Sequence, residues 1–301
     1  MLKYYSCMSG LFATVLSAVI FGFSPYFVYS ITACGLSVFT SNLIRFAGAS
    51  LLLFIYILAK GKGKSILMLV KERKTCLNTF LVGFSSALTA ILLTASYNYI
   101  PSGLSTVLHF TYPMMVTILY ALTKRIKLSL SLVICIVLSF TGVFLVTSDV
   151  SGRASVIGIV LALLSAVSFS SHIFMLNSSK IEDYPVDALM FWKCIISAAL
   201  SLVLCMTNGF GSVSGKLNIA SALLFPTVSA IAFTSFTFGT EKIGGPAAGV
   251  LSAFEPITAV VVGIALLGEP AQRTASIGIV LVIVSVVIMT WVTEHKSKVS
   301  S

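Results

Sequence analysis

From Thr75 to Thr123 the chain runs for 49 residues without an Asp, Glu, Lys or Arg. One membrane-spanning helix needs about 20 consecutive apolar residues, so this run is long enough for two. The triplet Pro101-Ser102-Gly103 interrupts it near the middle, and Pro and Gly are typical of turns. The run therefore predicts two spanning helices joined by a short turn, with a bilayer as part of the solvent.

The composition extends this prediction to the whole chain. Of its 301 residues, 57% are hydrophobic and only 9% are charged, whereas a soluble domain carries about 25% charged residues. Most linkers between the apolar segments are too short for a soluble domain. The sequence therefore predicts an all-α, polytopic membrane protein with ten transmembrane helices, at residues 10–30, 36–59, 77–98, 101–122, 129–147, 156–176, 187–207, 220–241, 245–267 and 275–293.

The distribution of charge predicts the orientation. A net charge of +10 could suggest nucleic acid, but the largest basic group lies in the linker 60–76, between two apolar segments. Loops rich in Lys and Arg face the cytoplasm, beside anionic lipid. With both termini cytoplasmic, 14 of the 19 Lys and Arg residues fall on the cytoplasmic side and three outside. We therefore expect a multi-pass protein of the cytoplasmic membrane, with the lipid bilayer and no nucleic acid as partner.

Neither a metal nor a cofactor is predicted. The six cysteines are scattered without a Cys-x-x-Cys pair, which favours neither a disulfide framework nor a zinc site. No His-x-x-His or Glu-x-x-His spacing occurs either. The first apolar segment is longer than the core of a signal peptide and contains Pro25, so we interpret it as an uncleaved first helix.

The two halves of the chain resemble each other. Leu16-Ser17-Ala18-Val19 recurs 148 residues later as Leu164-Ser165-Ala166-Val167, and Arg45 falls on Lys193 at the same offset. Further on, the offset becomes 143. We therefore predict two repeats, residues 1–150 and 151–301, of five helices each. Because five is odd, the second repeat enters the membrane from the opposite side, and inverted repeats are a transporter architecture.

Several short motifs carry a family resemblance. They are Glu255-Pro256, Leu267-Gly268-Glu269, the embedded Arg45-Phe46 and Phe21-Gly22. On these motifs the chain resembles the EamA-type transporters of the drug/metabolite transporter superfamily. The first half departs from the pattern, since Tyr112-Pro113 lacks the acid and Lys124-Arg125 lacks the Gly-Glu. The resemblance implies ten helices in two inverted repeats around a central cavity, and export of small metabolites such as amino acids, or of drugs.

Glu255, Pro113 and Pro256 are the first candidates for the site. The two prolines occupy matching positions, where broken helices would indicate a binding site; the alternative is a packing kink without ligand contact. Glu255 is the only acid deep in a predicted span, so it must be protonated, paired or facing water. It either lines the cavity and binds a proton or a substrate amine, or hydrogen-bonds the backbone near Pro256.

Arg45 and Lys193 are buried cations. They could pair with Glu255 or hold a substrate carboxylate; alternatively they extend toward the membrane surface or brace helix ends.

The remaining candidates are uncharged or titrate near neutral pH. His109 shares a helix face with Tyr112, and His109 and His172 could relay protons or donate hydrogen bonds between helices. Tyr97, Tyr112 and Phe21 could contact a ligand, or could pack in the core or the interfacial belt.

These observations favour a secondary transporter over other classes. We expect a monomer or homodimer that exports a small polar metabolite, an amino acid or a drug by alternating access, with protons as a candidate coupling ion. An uptake carrier, a flippase for a lipid-linked head group and a channel remain alternatives. An intramembrane enzyme would need clustered catalytic residues, and no Asp lies deep in a predicted span, so we do not expect catalysis.

Overall fold

The computed structural model describes residues 2–124, 130–148, 153–178, 185–243, 248, 251–270 and 276–288. Within these ranges the regular structure is helical, apart from one antiparallel bridge between Leu36 and Gly211. The helices are α1 Leu2–Gly22, α2 Ser24–Thr32, α3 Val38–Ala59, α4 Gly63–Lys71, α5 Arg73–Ser96, α6 Ser102–His109, α7 Tyr112–Lys124, α8 Leu130–Ser148, α9 Arg153–Ser178, α10 Val186–Asn208, α11 Ile219–Ile243, α12 Phe254–Leu267 and α13 Ser276–Ile288. The all-α prediction is confirmed for this part of the chain. Residues 129, 245–247, 249–250, 275 and 289–293 of the expected spans lie outside it, as does Arg125.

Six helical stretches are long and apolar enough to cross a bilayer. Three shorter apolar helices accompany them, at Val133–Gly142, Phe254–Leu267 and Ser276–Ile288. At 1.5 Å per residue, about 20 residues match the hydrocarbon thickness. The six are Met8–Thr32, Val38–Ala59, Arg73–Ser96, Ser155–Met175, Val186–Asn208 and Ile219–Gly239.

Apolar side chains cover much of the surface as well as the core, and many Ser and Thr side chains are buried. Large apolar side chains such as Phe12 and Leu223 are exposed, whereas Ser and Thr side chains such as Ser17 and Ser285 are fully buried. Small hydroxyl residues let helices approach closely in lipid, and their hydroxyls bond carbonyls of the preceding turn; Thr14 Oγ1, for example, donates to Gly10 O at 2.9 Å. The pattern is that of a protein surrounded by hydrocarbon.

In the described ranges the chain leaves helical geometry at three places that are each followed by a proline. The breaks lie at Phe23, at Phe110–Thr111 and at Ser252–Ala253. Pro25, Pro113 and Pro256 then occupy the first turns of α2, α7 and α12, where a missing N–H costs no helical hydrogen bond. Breaks beside Pro113 and Pro256 were predicted. The first predicted span, 10–30, lies within the single apolar stretch Met8–Thr32, in which Phe23 is a short irregularity.

The linker 60–76, for which the sequence predicts a loop, contains a helix. This helix is α4, whose Ile66 and Leu69 pack inward while Leu67 and Met68 are exposed. Trp192 Nε1 donates a hydrogen bond to Ile66 O at 2.9 Å. Nine residues are too few to span a bilayer. Since its apolar residues pack inward and lysines flank it, α4 is an amphipathic helix, and it packs against α10.

Two loops join the halves of the chain at one end of the bundle, which we call the Gly211 end. There residues 33–37 run beside residues 209–215, with Ser214 N donating to Cys34 O at 2.8 Å. Gly35 and Gly211 both have positive φ, and a side chain on either would collide with the opposite backbone. Along the bundle α1 packs on α11, α3 on α10 and α5 on α9, so the two halves are interlocked rather than separate.

Candidate functional site

Three charged side chains of the described chain stand on apolar helices, one of them buried and two partly buried. Arg45 projects from α3, Lys193 from α10 and Glu255 from α12. Arg45 interacts electrostatically with both Glu255 and Lys193. Neither cation forms an ion pair of 4.0 Å or less with a carboxylate of the described chain, where Lys62 with Asp187 is the one such pair. Of the alternatives considered for Arg45 and Lys193, a direct ion pair with Glu255 does not occur among the described residues.

Aromatic rings and one hydroxyl surround Arg45 instead. Its Nε donates to Ser229 Oγ of α11 at 2.9 Å, which links α3 to a helix of the second half. Its Cζ lies 4.8 Å from the ring centroid of Phe225 and 5.2 Å from that of Phe46. Cation–π contacts of this kind are worth up to about 2 kcal/mol when desolvated, and they offset part of the cost of burying the guanidinium.

Phe233 is shared by the two cations. Lys193 Nζ lies 4.6 Å from its ring centroid and Arg45 Cζ lies 5.8 Å from it. Phe21, predicted as a cavity residue, packs on the same ring with the centroids 5.3 Å apart. The repeat-matched pair Arg45 and Lys193 is therefore brought to one place in the structure.

Glu255 stands in the first turn of α12, directly after the helix break. Its backbone N–H donates to Ser252 O at 2.9 Å, and the N-terminal end of a helix favours a carboxylate. Within the described residues its carboxylate accepts no hydrogen bond, and the side chain is only partly buried. The structural role that the sequence left open, bonding to backbone groups near Pro256, does not occur in this part of the structure.

Gly22 allows α1 to approach Glu255 closely. A Cβ built on Gly22 would lie 2.7 Å from Glu255 O and 2.4 Å from Thr258 Cβ. The glycine of the Phe21-Gly22 motif thus has a packing function beside the charged residues.

The ring of Phe169 contacts the rings of Tyr112 and of both candidate histidines. Its ring centroid lies 4.6 Å from that of Tyr112, 5.5 Å from His109 and 5.6 Å from His172. The rings of His109 and Tyr112, placed on one helix face by the sequence, are 5.6 Å apart. We call these four residues the Phe169 cluster.

Both histidines are held by hydrogen bonds between helices. Ser165 Oγ uses its single hydrogen on Ala162 O at 2.6 Å, so His109 Nδ1, 2.9 Å from the same Oγ, is the donor. His172 Nδ1 lies 2.9 Å from Val82 O, which can only accept. The sequence left two roles open for these histidines, proton relay and hydrogen-bond donation between helices. The geometry supports hydrogen-bond donation.

Tyr97 lies at the end of α5, 6% exposed, against Val28, Ile31 and Val38. It packs in the core rather than in an interfacial belt.

Glu269 has a capping function that its motif does not reveal. Gly268, in a left-handed conformation, ends α12. The carboxylate of Glu269 then accepts hydrogen bonds from Ser102 N and Ser102 Oγ, both at 2.6 Å, and from Gly103 N at 3.1 Å. The Leu-Gly-Glu motif therefore caps α6 from a distant part of the chain.

A cavity of about 590 Å³ opens at the Gly211 end. Its wall contains none of the three charged residues, so we do not place the site there. It is lined by Thr32, Leu36, Ser37, Val38, Phe39, Ala95, Asn98, Tyr99, Leu161 and Asn208. No group of three His, Cys, Asp or Glu residues able to hold a metal occurs in the described ranges.

The family model and the relatives that the chain matches are all described as transporters. The model of the EamA-like transporter family matches residues 8–148 and 156–291. The chain is 24% identical over 304 residues to the uncharacterized inner membrane transporter YicL of Salmonella typhimurium, covering 97% of this chain and 99% of that protein. It is 28% identical to the uncharacterized transporter YvbV of Bacillus subtilis, over 65% of each chain.

A third relative is also described as a transporter, and one solved structure shares the fold. An uncharacterized transporter of Archaeoglobus fulgidus is 24% identical over 81% of this chain and 86% of that one. One crystal structure superposes with a TM-score of 0.67 at 14% identity, covering 94% of this chain and 98% of the other. At that identity the likeness shows the fold alone.

Proposed function

Because the chain belongs to the EamA-like transporter family and is a multi-pass membrane protein, we propose that it exports a small metabolite across the cytoplasmic membrane by alternating access, coupled to protons. An amino acid, a similar polar compound or a drug is the substrate class. The observation that carries the proposal is the position of Glu255, a carboxylate beside a helix break with no ion pair within 4.0 Å in the described chain.

The surroundings of Glu255 support this function. An ionisable group at bilayer depth is costly and is typical of ion and substrate pathways. The break at Ser252–Ala253 and the break before Pro113 stand at matching positions of the two halves. Interrupted helices at matching positions are where transporters with repeats bind substrate and coupling ion. Glu255 is thus our candidate for the coupling acid.

The proposed architecture has ten spans in two inverted repeats, residues 1–150 and 151–301. Arg45 of the first half and Lys193 of the second contact the same ring, that of Phe233, which is what a site between repeats would require. With both termini cytoplasmic, the Gly211 end faces outward and α4 lies at the cytoplasmic surface among its lysines. Rocking of one half against the other would then expose Glu255 to each side in turn.

The test is transport in proteoliposomes of the purified protein. The vesicles are loaded with a mixture of amino acids, nucleosides and sugars, a pH gradient is imposed, and efflux is followed by mass spectrometry. Glu255→Gln is measured in parallel, since it keeps the shape of the side chain and removes its charge. Glu72→Gln is the matched control, because Glu72 is exposed between α4 and α5.

Gradient-dependent efflux of one class of compound, lost in Glu255→Gln and kept in Glu72→Gln, is the expected result. Efflux that depends neither on the pH gradient nor on Glu255 would still support a carrier, but it would rule out the proposed coupling to protons. Accumulation instead of efflux would make the chain an uptake carrier.

A further inference from the structure

The outer face of α4 combines lysines with exposed apolar side chains. Lys64, Leu67, Met68 and Lys71 stand at helical spacing and share one side of the helix. All four are exposed, Leu67 at 65% and Met68 at 53%. We propose that α4 lies in the interface of the bilayer and that this outer face binds the headgroups of anionic phospholipids. The inference concerns a surface outside the proposed transport site and does not depend on transport.

The first argument is the order of side chains on the outer face. Exposed apolar side chains are unfavourable in water, whereas a helix that lies in the interface buries such a face at the boundary of headgroups and acyl chains. Lys64 and Lys71 stand before and after the apolar pair, about 10 Å apart along the axis. Their long stems can follow the acyl boundary while the ammonium groups reach the phosphates. A soluble polyanion would leave Leu67 and Met68 without an apolar partner.

The second argument is the depth at which α4 is held. Trp192 Nε1 donates a hydrogen bond to Ile66 O at 2.9 Å, and tryptophan is enriched at membrane–water interfaces. The chain then continues into α5, which begins at Arg73 and exposes Leu77 and Phe80. Helix α4 therefore lies where the apolar surface of the bundle meets its basic end.

The third argument is the surplus of positive charge. Residues 60–76 contain six basic side chains and one acid, Glu72. Among the described carboxylates, Asp187 alone comes within 4.0 Å of one of the six, Lys62. Each basic residue near an anionic leaflet strengthens the attraction by about fivefold, so the surplus selects anionic over zwitterionic lipid. The six, all exposed, are Lys60, Lys62, Lys64, Lys71, Arg73 and Lys74.

Lipid on the outer face complements the contacts that α4 makes with the protein. On its inner face Ile66 and Leu69 are buried, and Leu69 packs in one cluster with Trp192. Headgroups and acyl chains would hold the helix from the other side. The surface helix is then complete only in a membrane that contains anionic lipid.

The position of Trp192 provides the test. Trp192 and Trp291 are the two tryptophans of the chain, so full-length Trp291→Phe keeps one fluorophore, bonded to α4. It is reconstituted in phosphatidylcholine vesicles that contain either brominated phosphatidylglycerol or brominated phosphatidylcholine at the same mole fraction. Brominated lipid quenches a nearby tryptophan. We expect phosphatidylglycerol to quench Trp192 as a lipid bound about fivefold more tightly or better, with this preference reduced in about 1 M salt, where the screening length is about 3 Å.

Variants assign the preference to the outer face. Lys64→Gln and Lys71→Gln should each lower the preference for phosphatidylglycerol by up to about fivefold, while Lys64→Arg should retain it. Lys216→Gln is the matched control, because Lys216 is an exposed lysine of the loop at the Gly211 end. Quenching by brominated phosphatidylcholine that equals that of the unaltered chain shows that a lysine variant is inserted and folded.

A double variant tests the apolar part of the proposal. Leu67→Gln combined with Met68→Gln should reduce the quenching of Trp192 by both lipids, since acyl chains would no longer cover α4. Quenching that this double variant leaves unchanged would contradict the position of α4 in the interface.

Four further results would overturn the binding of anionic lipid. The first is equal quenching by the two brominated lipids. The second is a preference that persists in both glutamine variants and in about 1 M salt. The third is loss of the preference when soluble glycerol phosphate is added, which would make the surface a site for free anions. The fourth is shielding of Trp192 from both lipids that increases with the protein-to-lipid ratio, which would show that a second copy of the chain covers α4.

Discussion

The carboxylate of Glu269 accepts hydrogen bonds from the backbone N–H and the hydroxyl of Ser102, a residue 167 positions earlier in the chain, both at 2.6 Å. The contact ties the end of α12 to the beginning of α6. Both helices adjoin breaks, at Phe110–Thr111 and at Ser252–Ala253, so the cap fixes one end of each interrupted segment.

Replacement of Glu269 by Ala should lower stability. A hydrogen bond to a charged group is worth about 1.5–3 kcal/mol, and loss of a helix cap costs about 1 kcal/mol; we expect a net loss of about 2 kcal/mol. Thermal unfolding in detergent measures it, with Glu72→Ala as the control for loss of an exposed carboxylate. Equal unfolding temperatures for the two variants would show that the cap does not contribute.

Gly22→Ala should impair packing between α1 and α12. The added methyl group would sit 2.4 Å from Thr258 Cβ and 2.7 Å from Glu255 O, and backbone cannot move aside cheaply. Overpacking of this kind costs about 1–3 kcal/mol. Gly63→Ala is the control, because its methyl group meets only the flexible end of Leu58 at 3.2 Å. A Gly22→Ala protein as stable and as active as Gly63→Ala would contradict the close approach.

His109→Gln should affect stability more than proton coupling. The substitution removes the ring contacts of the Phe169 cluster and moves the side-chain N–H donor away from the Nδ1 position that bonds Ser165 Oγ. A lost hydrogen bond between buried groups costs about 1 kcal/mol. Transport that remains should keep its dependence on the pH gradient, because Glu255 is the proposed coupling acid. A stable His109→Gln protein that transports without pH dependence would assign the coupling to the histidine instead.

Trp192→Phe should loosen α4. The variant keeps the aromatic ring and loses the donor to Ile66 O, at a cost of about 1 kcal/mol. Hydrogen exchange of residues 63–71 should become faster. Lys62→Gln is the matched control, since its ion pair with Asp187 spans 3.9 Å and the lysine is 59% exposed; exposed pairs contribute about 0–1 kcal/mol. Faster exchange in Lys62→Gln alone would show that the ion pair with Asp187, and not the Trp192 hydrogen bond, holds α4 in place.

Local chemistry made much of the fold predictable. The long uncharged runs predict spanning helices whatever their neighbours are, and Pro113 and Pro256 predict where two of them break. Pro25 carried the same signal, but the apolar run on either side of it concealed the break at Phe23. Helix α4 was missed because six apolar or small residues between lysines resemble a loop until Ile66 and Leu69 are seen to pack against α10.

Contacts between distant residues were not predictable. The sequence predicts that Arg45, Lys193 and Glu255 lie within membrane spans, but pairing among them depends on how α3, α10 and α12 are rotated. The partner of Arg45 is a serine of α11 rather than a carboxylate. Glu269 was assigned to a motif without a function, because its partner Ser102 lies in the other half of the chain.

The most direct test of the central claim is movement of protons evoked by substrate. Proteoliposomes are loaded with a pH-sensitive dye, and a compound found to be transported is added under a concentration gradient without an imposed pH gradient. The account predicts that the internal pH changes with the unaltered chain and with Glu72→Gln, and stays constant with Glu255→Gln. A pH change that persists in Glu255→Gln, in a variant that still transports, would contradict the assignment of Glu255 as the coupling acid.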